Sequence, residues 1–184
     1  MKKLILTIIL ITIIHTTTNS QSGWVLQNPN SITAGLQGVE FINSTTGWVV
    51  GSGGMILKTS DNGKSWIQQS ISTINELCGI SFSDPNNGIA VAWDGIFKTT
   101  NGGTKWTLLK SDPACSLNSL SFTDSNHGTI AACLGKIMRT NDGGKTWTNQ
   151  ISGTGLDLFA VSFADSNLGI IAGSSGITFK LINV

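Results

Sequence analysis

The chain has 184 residues, enough for one domain or two. Glycine makes up 22 of them, about 12% against roughly 7% on average, while charged residues are only 11% and Trp and Phe number six and seven. Low charge with many large apolar side chains argues against disorder, and the abundance of Gly argues against a helical bundle. The net charge of +1 argues against a nucleic-acid partner, which needs a basic excess.

Residues 1–20 read as a secretory signal peptide. Lys2 and Lys3 form a positive start, Leu4 to Ile14 is an eleven-residue stretch broken only by Thr7 and Thr12, and Thr16 to Ser20 supply small residues for cleavage before Gln21. Eleven residues of helix reach only about 16 Å, well short of a bilayer core of about 30 Å, so the run is not read as a membrane anchor. The expected product is an extracytoplasmic domain, 21–184, secreted or periplasmic. It carries no further run of spanning length, and nine basic and ten acidic residues. Cys78, Cys115 and Cys133 remain, in a compartment that permits disulfides. The odd number leaves at least one thiol over, and no C-x-x-C or Cys/His cluster points to zinc.

The mature chain, 21–184, repeats. Phe41, Phe82, Phe122 and Phe163 recur every 40 or 41 residues, each followed six residues later by Gly47, Gly88, Gly128 or Gly169. A second series, Gly54, Gly95, Gly135 and Gly176, comes seven residues further on. Within the second copy, 77–82, 89–92, 96–99 and 106–109 read as strands separated by Asp84–Asn87 and Asn101–Gly103 turns. Four short strands per copy of about 40 residues is the pattern of a propeller blade. The expected fold is therefore all-β, a β-propeller of about four blades, each a four-stranded antiparallel sheet.

Before each Trp lies a related turn: Asp61, Gly63 and Trp66 in the first copy, Asn101, Gly103 and Trp106 in the second, Asp142, Gly144 and Trp147 in the third. This turn resembles the Asp-box of BNR repeats, S/T-x-D-x-G-x-T-W. Its side-chain oxygen accepts from backbone N–H groups of the same turn, its Gly tolerates positive φ, and its Trp wedges between sheets. One carboxylate per loop is too few for calcium, so these residues read as structural, with no metal and no cofactor. The wider copy, F-x5-G, apolar strand, G, K/R-T-x-D-G-G-x-x-W, resembles the photosystem II assembly and stability factor repeat family over about 160 residues. The resemblance implies a non-catalytic assembly factor or scaffold that binds a protein partner. It also implies more blades than this length provides.

The copies are out of phase with the ends. Trp24–Gln27 matches the strand that follows each Asp-box Trp, and the last copy stops after Phe179 and Lys180 without an Asp-box. Both ends would then share one closing blade. An open arc, a homo-oligomer that completes a larger ring and a truncated frame remain alternatives.

Catalytic machinery is sparse. A sialidase needs an arginine cluster and a Tyr nucleophile, and this chain has one Arg, Arg139, and no Tyr. Arg139 repeats Lys58, Lys98 and Lys180 and reads as a blade-surface residue. His127 falls in a turn with no acid partner marked. Asp84, Asp124 and Asp165 repeat at one turn position and read as turn braces. Acids outside the repeat are more informative: Glu76, Asp112 and Asp157 near the loops between blades, and Asp94 beside Trp93 in a second-to-third strand turn. Those loops share one face in propellers. Trp93 with Asp94 reads either as a stacking platform for a sugar or peptide, with glycoside hydrolysis as the runner-up chemistry, or as a Trp packed under a loop. Cys115 and Cys133 map to the same face as a candidate disulfide.

Overall fold

Short apolar runs punctuated by Gly, Asn and Asp turns form antiparallel sheets in the computed structural model, which describes residues 33–181. The expected signal peptide at 1–20 and the expected closing strand at 24–27 lie outside the described residues. The architecture is a β-propeller of four blades. Blade 1 holds β1 (Leu36–Phe41), β2 (Gly47–Gly51), β3 (Met55–Thr59) and β4 (Ile67–Gln69), and blade 2 holds β5 (Leu77–Phe82), β6 (Gly88–Ala92), β7 (Gly95–Thr99) and β8 (Thr107–Ser111). Blade 3 holds β9 (Leu117–Phe122), β10 (Gly128–Ala132), β11 (Ile137–Thr140) and β12 (Thr148–Gln150). Among the described residues blade 4 has three strands, β13 (Leu158–Phe163), β14 (Gly169–Gly173) and β15 (Thr178–Lys180), as expected of a last copy that lacks its Asp-box.

One repeat equivalence needs correction. Register pairs Gly51 with Met55 in blade 1 and Ala92 with Gly95 in blade 2. Gly95 therefore matches Met55, not Gly54. Blades 1, 3 and 4 turn from second to third strand through three residues ending in Gly54, Gly135 and Gly176, with φ of 70°, 71° and 74°. Blade 2 turns through Trp93 and Asp94 alone, one residue fewer.

A bulge near the start of the first strand brings its Leu, its aliphatic residue and its Phe onto one face. In blade 2 that face, with Leu77, Ile80, Phe82, Ala90 and Phe97, is buried against Trp48, Val50 and Ile56 of blade 1. Its other face, with Ile89, Val91 and Ile96, is buried against Leu117, Leu120, Ile130 and Met138 of blade 3. Ala131 and Ile137 of blade 3 meet Leu158, Val161 and Ile171 of blade 4 in the same way. At each of these three boundaries the earlier blade thus offers one face forward and the later blade receives it. Trp48 stacks on Phe82 with ring centroids 3.6 Å apart, and Trp106 meets the same Phe82 edge-on at 5.9 Å.

Polar contacts repeat across the same boundaries. Lys58 Nζ donates to the Gly102 carbonyl at 3.2 Å and Lys98 Nζ to the Gly143 carbonyl at 2.7 Å. The Lys58/Lys98/Arg139 position, expected on the blade surface, is in blades 1 and 2 a clamp onto the next blade's Asp-box. Alternation along a strand could not show this, because the acceptor is a backbone carbonyl about 44 residues away.

Within the boxes, Asp61 accepts from the Ser65 N–H at 2.8 Å, the Ser65 hydroxyl at 2.6 Å and the Thr59 hydroxyl at 2.9 Å. These bonds, those from Ser65 foremost, hold its pKa down at about 2. Asp142 repeats the pattern with Thr146 and Thr140, and Asn101 accepts the Lys105 N–H at 2.9 Å. Gly63, Gly103 and Gly144 take φ of 79°, 87° and 79°. A Cβ on Gly103 would sit 2.0 Å from Gln69 Oε1, so a larger residue would displace the Gln69 side chain as well as strain the backbone.

Because blade 2 already uses Asn in its box, D142N should melt close to the parent and D142A clearly below it, as read by calorimetry at pH 7. Glu40 lies between blades 1 and 2, where its carboxylate accepts from Ser81 Oγ at 3.0 Å and the Phe82 N–H at 2.6 Å. Burial outweighs both bonds and raises its pKa to about 7. The protonated acid is favoured by the fold, so its stabilising share is complete below the unfolded value and lost as pH rises through about 7. E40Q should therefore gain stability over the parent at pH 8, with the gap closing towards pH 5 in denaturant titrations.

Candidate functional site on the loop face

The two ends of the propeller differ in how their polar groups are used. At one end, first-to-second strand turns lie against Asp-boxes. Asn62 N–H donates to the Thr45 carbonyl, Gly102 N–H to Asn86 and Gly143 N–H to Asn126, at 2.9–3.0 Å. Asp84, Asp124 and Asp165 each accept two backbone N–H groups of their own turn. His127, for which the sequence marks no acid partner, has one: its Nδ1 lies 2.8 Å from Asp124 Oδ2. Asp84 and Asp165 brace the same turn without a histidine, so the pair reads as a turn brace. A cavity of about 200 Å³ between blades 2 and 3 opens at this end, but Lys98, Asp84 and Asp142 on its walls are held by the bonds already described.

At the other end, each second-to-third strand turn lies against an inter-blade loop. Ser52 N–H donates to the Gly35 carbonyl, Trp93 N–H to Glu76, Cys133 N–H to Ser116 and Ser174 N–H to Asp157. The structure therefore brings Glu76, Trp93, Asp94, Asp112, Asp157, Cys115 and Cys133 to one face. A disulfide joins Cys115 to Cys133, with Cα atoms 5.5 Å apart, and ties a blade 2–3 loop to a blade 3 turn. Cys78 is free and half-buried. Burial first, then the Glu76 charge, pushes its thiol up to about 11, which leaves little thiolate at neutral pH.

The four acids are spent on holding these loops. Glu76 accepts from Gln37, Asp112 pairs with Lys136, and Asp157 accepts the Leu134 N–H at 2.9 Å. Asp94 Oδ2 accepts the Thr73 hydroxyl at 3.0 Å, while its Oδ1 is buried and without a hydrogen-bond partner. Asp94 is thus tied to the blade 1–2 loop through one oxygen, and its other oxygen is turned away from solvent. Among the described residues no group of three or more His, Cys, Asp or Glu is placed to hold a metal ion.

Exposed apolar tips are more numerous on this face than at the Asp-box end, where Leu168 is exposed among the described first-to-second strand turns. Trp93 is half exposed, and Ile74, Leu134 and Leu156 in the neighbouring turns and inter-blade loops are exposed as well. Leu134 occupies the left-handed region at φ 52°, where blade 1 has Gly53. That conformation costs a bulky residue about 1 kcal/mol or more, and its side chain stays in water. The sequence marks Trp93 as a break from the repeat but not Ile74, Leu134 or Leu156. A signal for Leu134 was present in its alignment with Gly53 and Ser175, the tips of the matching turns.

Residues 16–115, just over half of the chain, match the family model described as photosynthesis system II assembly factor YCF48. No curated protein matches. A solved structure of YCF48 bound to D1 peptide is 24% identical, with a TM-score of 0.65 over 77% of this chain and 47% of that one. YCF48 from Cyanidioschyzon merolae is 20% identical, with a TM-score of 0.67 over 87% of this chain and 56% of that one. An ancestral GH74 enzyme gives 18% identity and a TM-score of 0.67, over 80% of this chain but 23% of its own. The chain thus spans about half the length of the YCF48 structures it matches. On the match of repeat, fold and family model together, the chain belongs to the photosynthesis system II assembly factor YCF48 family.

Proposed function

We propose that this chain is a non-catalytic scaffold that binds a segment of a partner protein on its loop face, in an extracytoplasmic compartment reached through residues 1–20. The observation that carries the reading is the set of exposed apolar tips on turns that hydrogen bonds and a disulfide hold in place. Rigid aromatic and aliphatic anchors on a pre-ordered surface bind with little entropy to lose. Trp93 is the central anchor, and Leu134, kept exposed in an unfavourable backbone conformation, is the second. The YCF48 structure solved with a D1 peptide supports a protein segment as the class of ligand. The loop-face acids serve the scaffold by fixing the loops, which speaks against glycoside hydrolysis through Asp94.

Site-specific photocrosslinking in cells tests this. A crosslinker at Ile74, on the loop face, should capture one dominant protein, and Trp93→Ala should cut that capture by about tenfold or more, the size of a hot-spot loss. The same crosslinker at His127, on the opposite end, should not capture it. Equal capture from both ends, or capture unchanged by Trp93→Ala, would refute the assignment. Retention on polysaccharide that depends on Trp93, with no protein captured, would establish the glycan reading instead.

A further inference from the structure

Among the described residues, blades 1 and 4 each leave exposed a face that is buried at the three boundaries between blades. At the position where Ile80, Leu120 and Val161 are 6%, 8% and 7% exposed, Val39 of blade 1 is 68% exposed. Leu36 is 48% exposed where Leu77, Leu117 and Leu158 are fully buried, and Phe41 is likewise exposed where Phe82 is buried. These three residues form the receiving face of blade 1. On the forward face of blade 4, Ile170 is 52% exposed where Trp48, Ile89 and Thr129 are 0%, 4% and 3%. Phe159, at the β13 bulge, is exposed as well.

We infer that the forward face of blade 4 packs onto the receiving face of blade 1 in a second copy of this chain, so that two chains close one ring of eight blades. Both halves of the contact are already used three times inside the chain. Where blade 3 sets Ser119 against blade 4, with its Oγ accepting the Val161 N–H at 3.3 Å, the end faces supply Ala160 and Val39. A small residue meets an aliphatic one in both cases. Lys180 stands at the clamp position of Lys58 and Lys98, and its repeat-equivalent acceptor is the Asn62 carbonyl of the blade 1 Asp-box. Each terminal face is the partner of the other and not of itself. The contact is therefore heterologous, and two such contacts related by a two-fold axis along the channel close the assembly. Eight blades fall within the usual range for propellers.

The test is the solution mass of the full chain by light scattering and sedimentation. Two copies are expected, and Val39→Asp and Ile170→Asp should each shift the mass to a single chain. Both positions face solvent within one chain, so far-UV dichroism should be unchanged in both variants. The double variant V39C/A160C, oxidised and mapped by mass spectrometry, should yield a disulfide between those two positions in different chains. A single-chain mass for the unmodified protein would overturn the inference. So would a dimer that Ile170→Asp leaves intact, because two receiving faces would then be in contact. Open polymers beyond two copies would also overturn it, by excluding closure at eight blades.

Discussion

A four-stranded sheet that carries Leu, Ile, Val and aromatic residues on both faces cannot persist alone in water. Burial of each blade's forward face against the receiving face of the next is therefore the interaction on which the rest of this molecule depends. Leu77, Leu117 and Leu158, fully buried at three successive boundaries, contribute on the order of 1.5–3 kcal/mol each. The repeat spacing follows from this contact, since a blade with altered facing residues would lose the fit to both neighbours. The lysine clamps at Gly102 and Gly143 add a directional element to an otherwise non-directional apolar contact.

This dependence divides the two ends of the propeller. Asp-boxes and first-to-second strand turns use their carboxylates, hydroxyls and glycines to form tight turns that leave the strands in register. Hardly any of that chemistry is free for a ligand. At the loop end the hydrogen bonds are also internal, but the tips they hold differ from blade to blade: Ser and Gly in blade 1, Trp and Asp in blade 2, Cys and Leu in blade 3, Ser in blade 4. Variation confined to the tips of a constant scaffold is how a repeat fold acquires a binding surface without risk to its core.

The fold was legible because its cause is periodic. Phe, Gly, Asp-box and Trp recur at a fixed spacing, and each recurrence marks a face, a turn or a wedge. The same regularity misled at Gly95, where a one-residue shorter turn moved a glycine into the sequence position of Gly54 without its role. The clamp role of Lys58 and Lys98 was hidden because a lysine that points to solvent and one that reaches a carbonyl in the next blade look alike along the chain. On the loop face, Trp93 stood out as a break from the repeat. Leu134 did not, because its significance lies in backbone conformation and exposure, which spacing does not encode. The commitment of Asp94 to Thr73 likewise required the fold, which brings residues 21 positions apart into contact.

Residue-resolved amide hydrogen exchange on the full chain tests the primacy of face-to-face burial most directly. The second strands β6 and β10, buried along their whole length, should exchange slowest, and the outer strands β4, β8 and β12, though fully paired on one side, should exchange faster by orders of magnitude. Outer strands as slow as β6 and β10 would contradict the account, because stability would then reside in the hydrogen-bonded sheets and not in the burial of one blade against the next.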